Sequence, residues 1–533
     1  TGHMLMEDRL FSEMSATGEA MRQYREFTIP GIDMLCDERQ FATAKQAQSA
    51  AHQYGREGVM SELYGVTGWD FDFRGHKFQG DWQAALGVTL RVPHLAWVGM
   101  GGSAKRDYPA SIGCQSAWFR EYCFIEDHFA RINTAMTRGV PEVRVAVLHP
   151  IESSWMTEGV REHTAAAGNA MNERFQDLVQ WLLRGQIDFD LVSESLLPEL
   201  YDEGKEGFCL GQMCYQAVLV PPLLTVRSTT LKALEGFQRR GGRVIVTGKI
   251  PPCVDGRPCA KARGVYDRAE KIPFLKTDIL DALEEERQIA VYGQGGERRN
   301  DLIYQMRREG EERWLFIAHC DPPDRIDGRD SCRDQIRIEV KGLWRPELYD
   351  TITGNVEVVS YSTGNGNTVF TVPCHALDSL LFLLTPQVYK VSGSEQEKKD
   401  VARAALSASE SALAVPDFVE YERSEQNVLV LDQCQWSRDG LNYNPCEEIL
   451  RIDKAIRQEL NYPLADGTDV QPWCIPAKAP SEFVWLRFAF DSERKAQCLL
   501  GYEYLEEVWL NGGKVEQEEA GYFVDRAIHT LIL

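Results

Sequence analysis

Apolar positions along the chain change period several times, and each change marks a different kind of element. Residues 5–27 carry a helical amphipathic pattern that Pro30 and Gly31 close. A short apolar run, Ile32 to Leu35, then predicts a strand. A helical stretch over about 38–54 and the apolar strand 57–63 follow, then a loop rich in Gly and aromatics, a helix around 81–86 and a strand over 89–100. This βαβα order is that of a parallel sheet or barrel. Only about three strands of it are legible, whereas a closed (β/α)8 barrel has eight. Residues 5–140 therefore read as the C-terminal part of a (β/α)8 barrel whose remainder lies upstream, to be filled by another chain, a fragment or an oligomer partner.

From Val143 the pattern restarts. The buried-strand run VRVAVLHPI, a helix over 169–184, the strands DFDLVSE and QAVLVPP, a helix over 229–239 and the strand RVIVTG alternate as in a doubly wound sheet. Residues 141–285 thus read as a flavodoxin-like α/β domain, without a GxGxxG phosphate cradle. Short strands with turn residues then predict a β-sandwich over 286–390. Residues 391–533 read as a polar linker followed by a jelly-roll whose strands include EFVWLRFAF, AQCLLGYEY, EEVWLNG and AIHTLIL. The fold class is multidomain α/β plus all-β. The opening tetrapeptide, Thr1 to Met4, reads as a vector remnant outside the fold.

Charge narrows the partners. With 80 acidic and 58 basic residues and a net charge of -22, the chain repels phosphate backbones and anionic membrane surfaces. Nucleic acid and membrane are thereby disfavoured, while a neutral carbohydrate substrate is compatible. The 14 cysteines include no CxxC pair, and several, such as Cys214 and Cys498, sit in apolar runs, as reduced thiols do. Without a signal peptide or an apolar run of about 18 residues, the expected location is cytoplasmic.

The candidate chemistry sits in residues 55–102. Glu62 closes an apolar strand and is followed at once by a Gly- and Trp-containing loop, the place from which barrel enzymes project catalytic groups. Trp69, Trp82 and Trp97 offer aromatic faces to the CH faces of a sugar. Asp70, Asp81, His52 and His94 offer partners to its hydroxyls. The plain alternative for Glu62 is a strand-end carboxylate paired with Arg56 or Arg74. Asp33 reads equally as a hydroxyl partner or as the holder of a barrel loop, and His52 as a capping or core residue. Asp107 and Tyr108 suit the barrel mouth or a turn, and Trp118 the packing of the outer helices. Cys209, Cys214 and His149 raise a glutaminase-like nucleophile and base, but no sharp nucleophile turn surrounds either cysteine, so core packing is the better reading.

The run GIDML at 31–35, SELYG at 61–65, DWQ at 81–83, HLAW at 94–97 and the later RDYPASI and SAWF resembles clan A glycoside hydrolases, above all the family 106 α-L-rhamnosidases. It is more distantly similar to the family 42 and family 2 β-galactosidase-type enzymes. The domain order and the later NVLVLD, QPW, EVWLNG and GYFVD extend the resemblance over nearly the whole chain. It implies that GIDML is barrel strand six, that Glu62 ends strand seven, and that the partner acid follows strand four, which has no counterpart here. It implies an exo-acting glycosidase in which Glu62 is nucleophile or water-activating base, and it implies calcium, though no ligands are assignable from the scattered Asp residues. The rival reading is a non-catalytic glycan-binding or scaffold protein with a degenerate barrel.

Overall fold

The computed structural model describes residues 2–4, 6–34, 39–68, 71–96, 111–113, 116, 118–322, 334–387, 429, 431, 433–462, 482–491, 498–502, 505–516, 519–523 and 525–533. The expected N-terminal helix is two, α1 (Leu10–Ala16) and α2 (Ala20–Tyr24). Gly18 turns the chain between them at φ +79°. The Glu13 side chain holds the break by accepting the Ala20 N–H at 2.8 Å. Three strands follow, β1 (Gly31–Met34), β2 (Val59–Leu63) and β3 (Val88–Pro93), with α3 (Phe41–Tyr54) and α4 (Phe73–Ala85) between them. Helix α4 begins eight residues before the expected start because Asp72 caps it, accepting the Arg74 N–H. α5 (Cys123–Met136) comes next.

The strands form one parallel sheet in the order β1-β2-β3. Among the described residues this sheet does not close into a barrel. Among the described residues no strand pairs with its β3 edge, and Leu90 and Val92 on that strand are 43% and 39% exposed.

The second unit is a five-stranded parallel sheet of β4 (Val145–Leu148), β5 (Phe189–Val192), β6 (Ala217–Val220), β7 (Arg243–Thr247) and β8 (Glu270–Ile272). Its spatial order is β8-β7-β6-β4-β5, with every pairing parallel. Counted within the sheet this is the 2-1-3-4-5 order of doubly wound proteins. Strands β4, β5 and β6 are buried at every position, as a sheet covered by helices on both faces requires. The long helix α6 (Arg161–Arg184) starts eight residues earlier than the sequence pattern suggests.

Two antiparallel sheets follow, one of four strands and one of six, sharing a core of Ile, Val, Leu and Phe that includes Ile336, Phe370 and Phe382. Val140–Pro141 joins the six-stranded sheet as an edge, so this unit borrows from residues ahead of the α/β unit. Toward the C-terminus the described strands include Trp485–Phe488, Leu499–Tyr502 and the longer Asp525–Ile532, with one helix at Ile449–Glu459 that the sequence pattern did not predict. The polar stretch 393–410 lies outside the described residues. No helix among them is long and apolar enough to cross a membrane.

One cysteine expectation is corrected. Cys209 and Cys214 face each other across the hairpin Phe208–Leu210 and Met213–Tyr215 and are joined as a disulfide. The tight turn between those strands places the two side chains opposite, which an apolar sequence context does not reveal.

Candidate active site

β1 and β2 run parallel with Asp33 opposite Glu62, so both carboxylates leave the same face of the sheet near the strands' C-terminal ends. The opening residues lie against this arrangement and so within the fold. The Met4 N–H donates to the Gly31 carbonyl at 3.1 Å, and Met4 bridges Ile32 in parallel sense. A Cβ on Gly31 would come within 2.1 Å of the Gly2 carbonyl oxygen, so that glycine lets the segment lie against β1. His3 is thereby carried to Glu62, its Nε2 3.1 Å from Glu62 Oε2. His94 follows β3, tied by its N–H to the Leu63 carbonyl at 2.9 Å. Sequence reading missed His3. The glycine that opens β1 was the available signal, since it marks a close backbone approach.

Glu62 does not form either arginine pair that would make it a plain surface group. Arg74 closes on Asp72, and Arg56 donates to the Arg25 carbonyl. The backbone just after Glu62 is strained: Tyr64 and Val66 hold φ of +69° and +63°, unfavourable for any side chain and most of all for β-branched valine. Tyr64 is pinned there by its hydroxyl, which donates to the His76 carbonyl at 3.0 Å. Strain of this kind persists only where surrounding contacts over-determine it, and it gathers at functional sites.

Burial pushes the Asp33 carboxyl up to about 6; the Glu62 charge adds to the rise, while His3 and His94 oppose it. Its Oδ1 is buried and has no hydrogen-bond partner among the described residues. A half-buried carboxyl beside a second one holds its proton more readily and can donate it in a hydrogen bond to a ligand oxygen.

Three nominated residues are placed elsewhere. His52, at the end of α3, turns away from the sheet face and meets Asp190 on β5, Nδ1 to Oδ1 at 2.9 Å. Asp81 lies 2% exposed between helices, 2.7 Å from His128 Nε2 and 2.6 Å from Lys77 Nζ. Burial alone would raise its carboxyl, but Lys77 and His128 outweigh that and hold it at about 2. Trp82 is fully buried, edge-on to Phe41 at 5.4 Å. Asp81 and Trp82 sit inside the extended α4, so they face its packing surfaces and not the strand ends. Trp69, Asp70, Trp97, Asp107 and Tyr108 lie outside the described residues. Trp118 packs against Phe73 and donates to the Ser111 carbonyl. His149 is buried beside Phe175, 4.0 Å from Glu13, and has no cysteine partner among the described residues.

Ligand atoms of His3, Asp33 and Glu62 lie within 4.8 Å of one another. Calcium takes roughly 6–8 oxygen ligands, whereas this set offers one imidazole nitrogen and two carboxylates. It does not fit calcium; an imidazole with carboxylates suits borderline ions better.

No family model matches the chain, and no curated protein does. Among solved structures it is similar to a rhamnosidase from Novosphingobium sp. PP1Y, at 16% identity and a TM-score of 0.54, over 79% of this chain and 38% of that one. It thus spans well under half of that enzyme's length. It is also similar to a β-galactosidase from Bacillus circulans sp. alkalophilus, at 11% identity and a TM-score of 0.47, over 69% and 62% of the two chains. A third is α-L-fucosidase isoenzyme 2 from Paenibacillus thiaminolyticus, at 13% identity and a TM-score of 0.42, over 65% and 63%. The likeness to the rhamnosidase is one of fold, and the other two are looser. All are glycoside hydrolases, the class that the sequence resemblance named.

Proposed function

We propose that this chain carries half of a glycosidase active site and takes part in cleaving a terminal sugar from a glycan or glycoside. The observation that carries the reading is the pair Asp33 and Glu62, set opposite each other near the C-terminal ends of parallel strands and followed by a strained loop. Glu62, oriented by His3, attacks the anomeric carbon or takes a proton from the water that does. Asp33, which keeps its proton to higher pH than an ordinary carboxyl, donates a hydrogen bond to a substrate hydroxyl. The acid that protonates the leaving oxygen comes from further strands, which cover the β3 edge and complete a barrel; the α/β unit, sandwich and jelly-roll brace it. Such strands also remove an exposed edge with unpaired backbone groups. The likeness of fold to a rhamnosidase supports the reading and leaves the sugar open.

The test is turnover of an aryl glycoside panel by this chain together with the strands that complete the barrel, set against Glu62→Gln. Gln keeps the shape but neither attacks nor accepts a proton, so the expected loss is about 10²- to 10⁴-fold or more. Near-normal turnover by the variant, with an unchanged thermal midpoint, refutes the assignment of Glu62.

A further inference from the structure

A second cleft, of about 470 Å³, opens between the outer face of α5 and the six-stranded sheet. Its volume is within the roughly 300–1,000 Å³ of small-ligand sites, and none of its lining belongs to the strand ends that carry Asp33 and Glu62. We propose that it is a binding site for a neutral saccharide, separate from the candidate active site.

The chemistry of the lining selects that class. Tyr349, half-buried in the cleft wall, is braced edge to face at 5.2 Å on the buried Trp314, and offers one aromatic surface of the kind that packs on the CH face of a pyranose. Ala130 and Val356 extend the apolar floor, both exposed where the cleft opens. Four charged residues stand on its rim, and each is already balanced. Arg138 pairs with Glu309 at 2.6 Å. Arg131 donates to the carbonyls of Thr351 and Ile352 at 2.8 and 2.9 Å and approaches Asp127 at 3.6 Å. Asp350 is occupied by the N–H groups of Ile352 and Thr353. A rim with two cations and two anions so engaged gives no net attraction to a phosphate or a carboxylate, which a charged ligand would need to offset its desolvation. It does present planar donors and acceptors at fixed positions, which suit hydroxyls. The Arg131 and His128 contacts to Thr351 also fix the lip of the cleft: His128 Nδ1 lies 2.8 Å from Thr351 Oγ1. The site is therefore built before a ligand arrives.

The inference does not rest on Glu62 being catalytic, and the test keeps the two apart. Ala130 is exposed on α5, so Ala130→Trp fills the cleft without disturbing the core. Ligand-observed NMR is run with methyl β-D-galactopyranoside and methyl α-L-rhamnopyranoside as neutral probes and glucose 6-phosphate as the anionic one, on the parent chain, Ala130→Trp, Asp127→Ala and Glu62→Gln. The expected result is roughly millimolar binding of a neutral probe, weakened at least about tenfold by Ala130→Trp and by Asp127→Ala, and retained in Glu62→Gln. Failure of both neutral probes to bind the parent overturns the proposal. So does binding untouched by Ala130→Trp, a preference for the phosphate, or a dimer of the parent chain that Ala130→Trp dissolves, which would make a second copy the occupant. Loss of activity in Glu62→Gln has no bearing on any of these outcomes.

Discussion

Lys45 is a buried cation whose removal should cost the fold heavily. It is fully buried on α3, with Nζ 2.6 Å from Gln48 Oε1, 2.9 Å from Asp188 Oδ1 and 4.0 Å from Asp190 Oδ1. It is the cation between α3 and two carboxylates of the neighbouring sheet that are themselves at most 4% exposed. Lys45→Met keeps the volume and strands both carboxylates. Breaking a buried pair from one side typically costs about 3–5 kcal/mol, because the remaining charge is left uncompensated. Here Asp188 still accepts the Phe189 N–H, and Asp190 still meets His52 and the Tyr215 hydroxyl, which places the loss near the lower figure. Against a total stability of about 5–15 kcal/mol that is a large share. Adding Asp188→Asn removes one of the stranded charges, so the double variant should be more stable than Lys45→Met alone. Urea unfolding, with hydrogen exchange read on α3 and β5, gives both quantities. A Lys45→Met variant within about 0.5 kcal/mol of the parent, or a double variant less stable than the single one, would refute the reasoning.

Three further outcomes follow from the same reading. Glu13 is buried with one oxygen unpartnered, and burial pushes its carboxyl up to about 8; a raised carboxyl favours the fold at low pH, so stability should fall as pH rises through about 8, and Glu13→Gln should flatten that fall in a series of thermal midpoints. The Asp33 carboxyl, raised to about 6, gives the same sign in a lower window: its contribution is complete below about 4 and lost through about 6, and a fall in thermal midpoint over that range that persists unchanged in Asp33→Asn would contradict it. Replacing both Cys209 and Cys214 by Ala opens a short loop whose closure is worth about 2 kcal/mol; thiol counting on the unfolded, unreduced chain should find this pair blocked, and two extra free thiols would mean that the cross-link does not form.

Period and order made most of the architecture legible, because they report what each segment must bury. The parallel run of β1 to β3 and the alternation that becomes β4 to β7 both follow from apolar runs bounded by turn residues, while the edge strand β8 carries no such run and was not foreseen. What period does not carry is the direction in which a polar side chain inside a helix points. Asp81 and His52 look alike in sequence, polar groups beside a catalytic-looking strand, yet one closes on His128 and the other on Asp190, partners 47 and 138 residues away. Their pairing is decided by tertiary packing, of α4 on α5 in the first case and of α3 on β5 in the second, and no local spacing encodes it. The strand-end position of Glu62 was legible for the opposite reason: a strand end in a parallel sheet has few places to point, so position alone selects its direction. His3 shows the remaining gap. Its segment is too short to display a period, and only the contact that Gly31 permits brings its imidazole to Glu62. The orienting contact thus depends on a backbone approach that any side chain at position 31 would block. Gly31→Ala should therefore displace His3 from Glu62 with every polar group of the site still present. An unshifted His3 imidazole resonance in that variant would show that the segment is held by something other than the sheet.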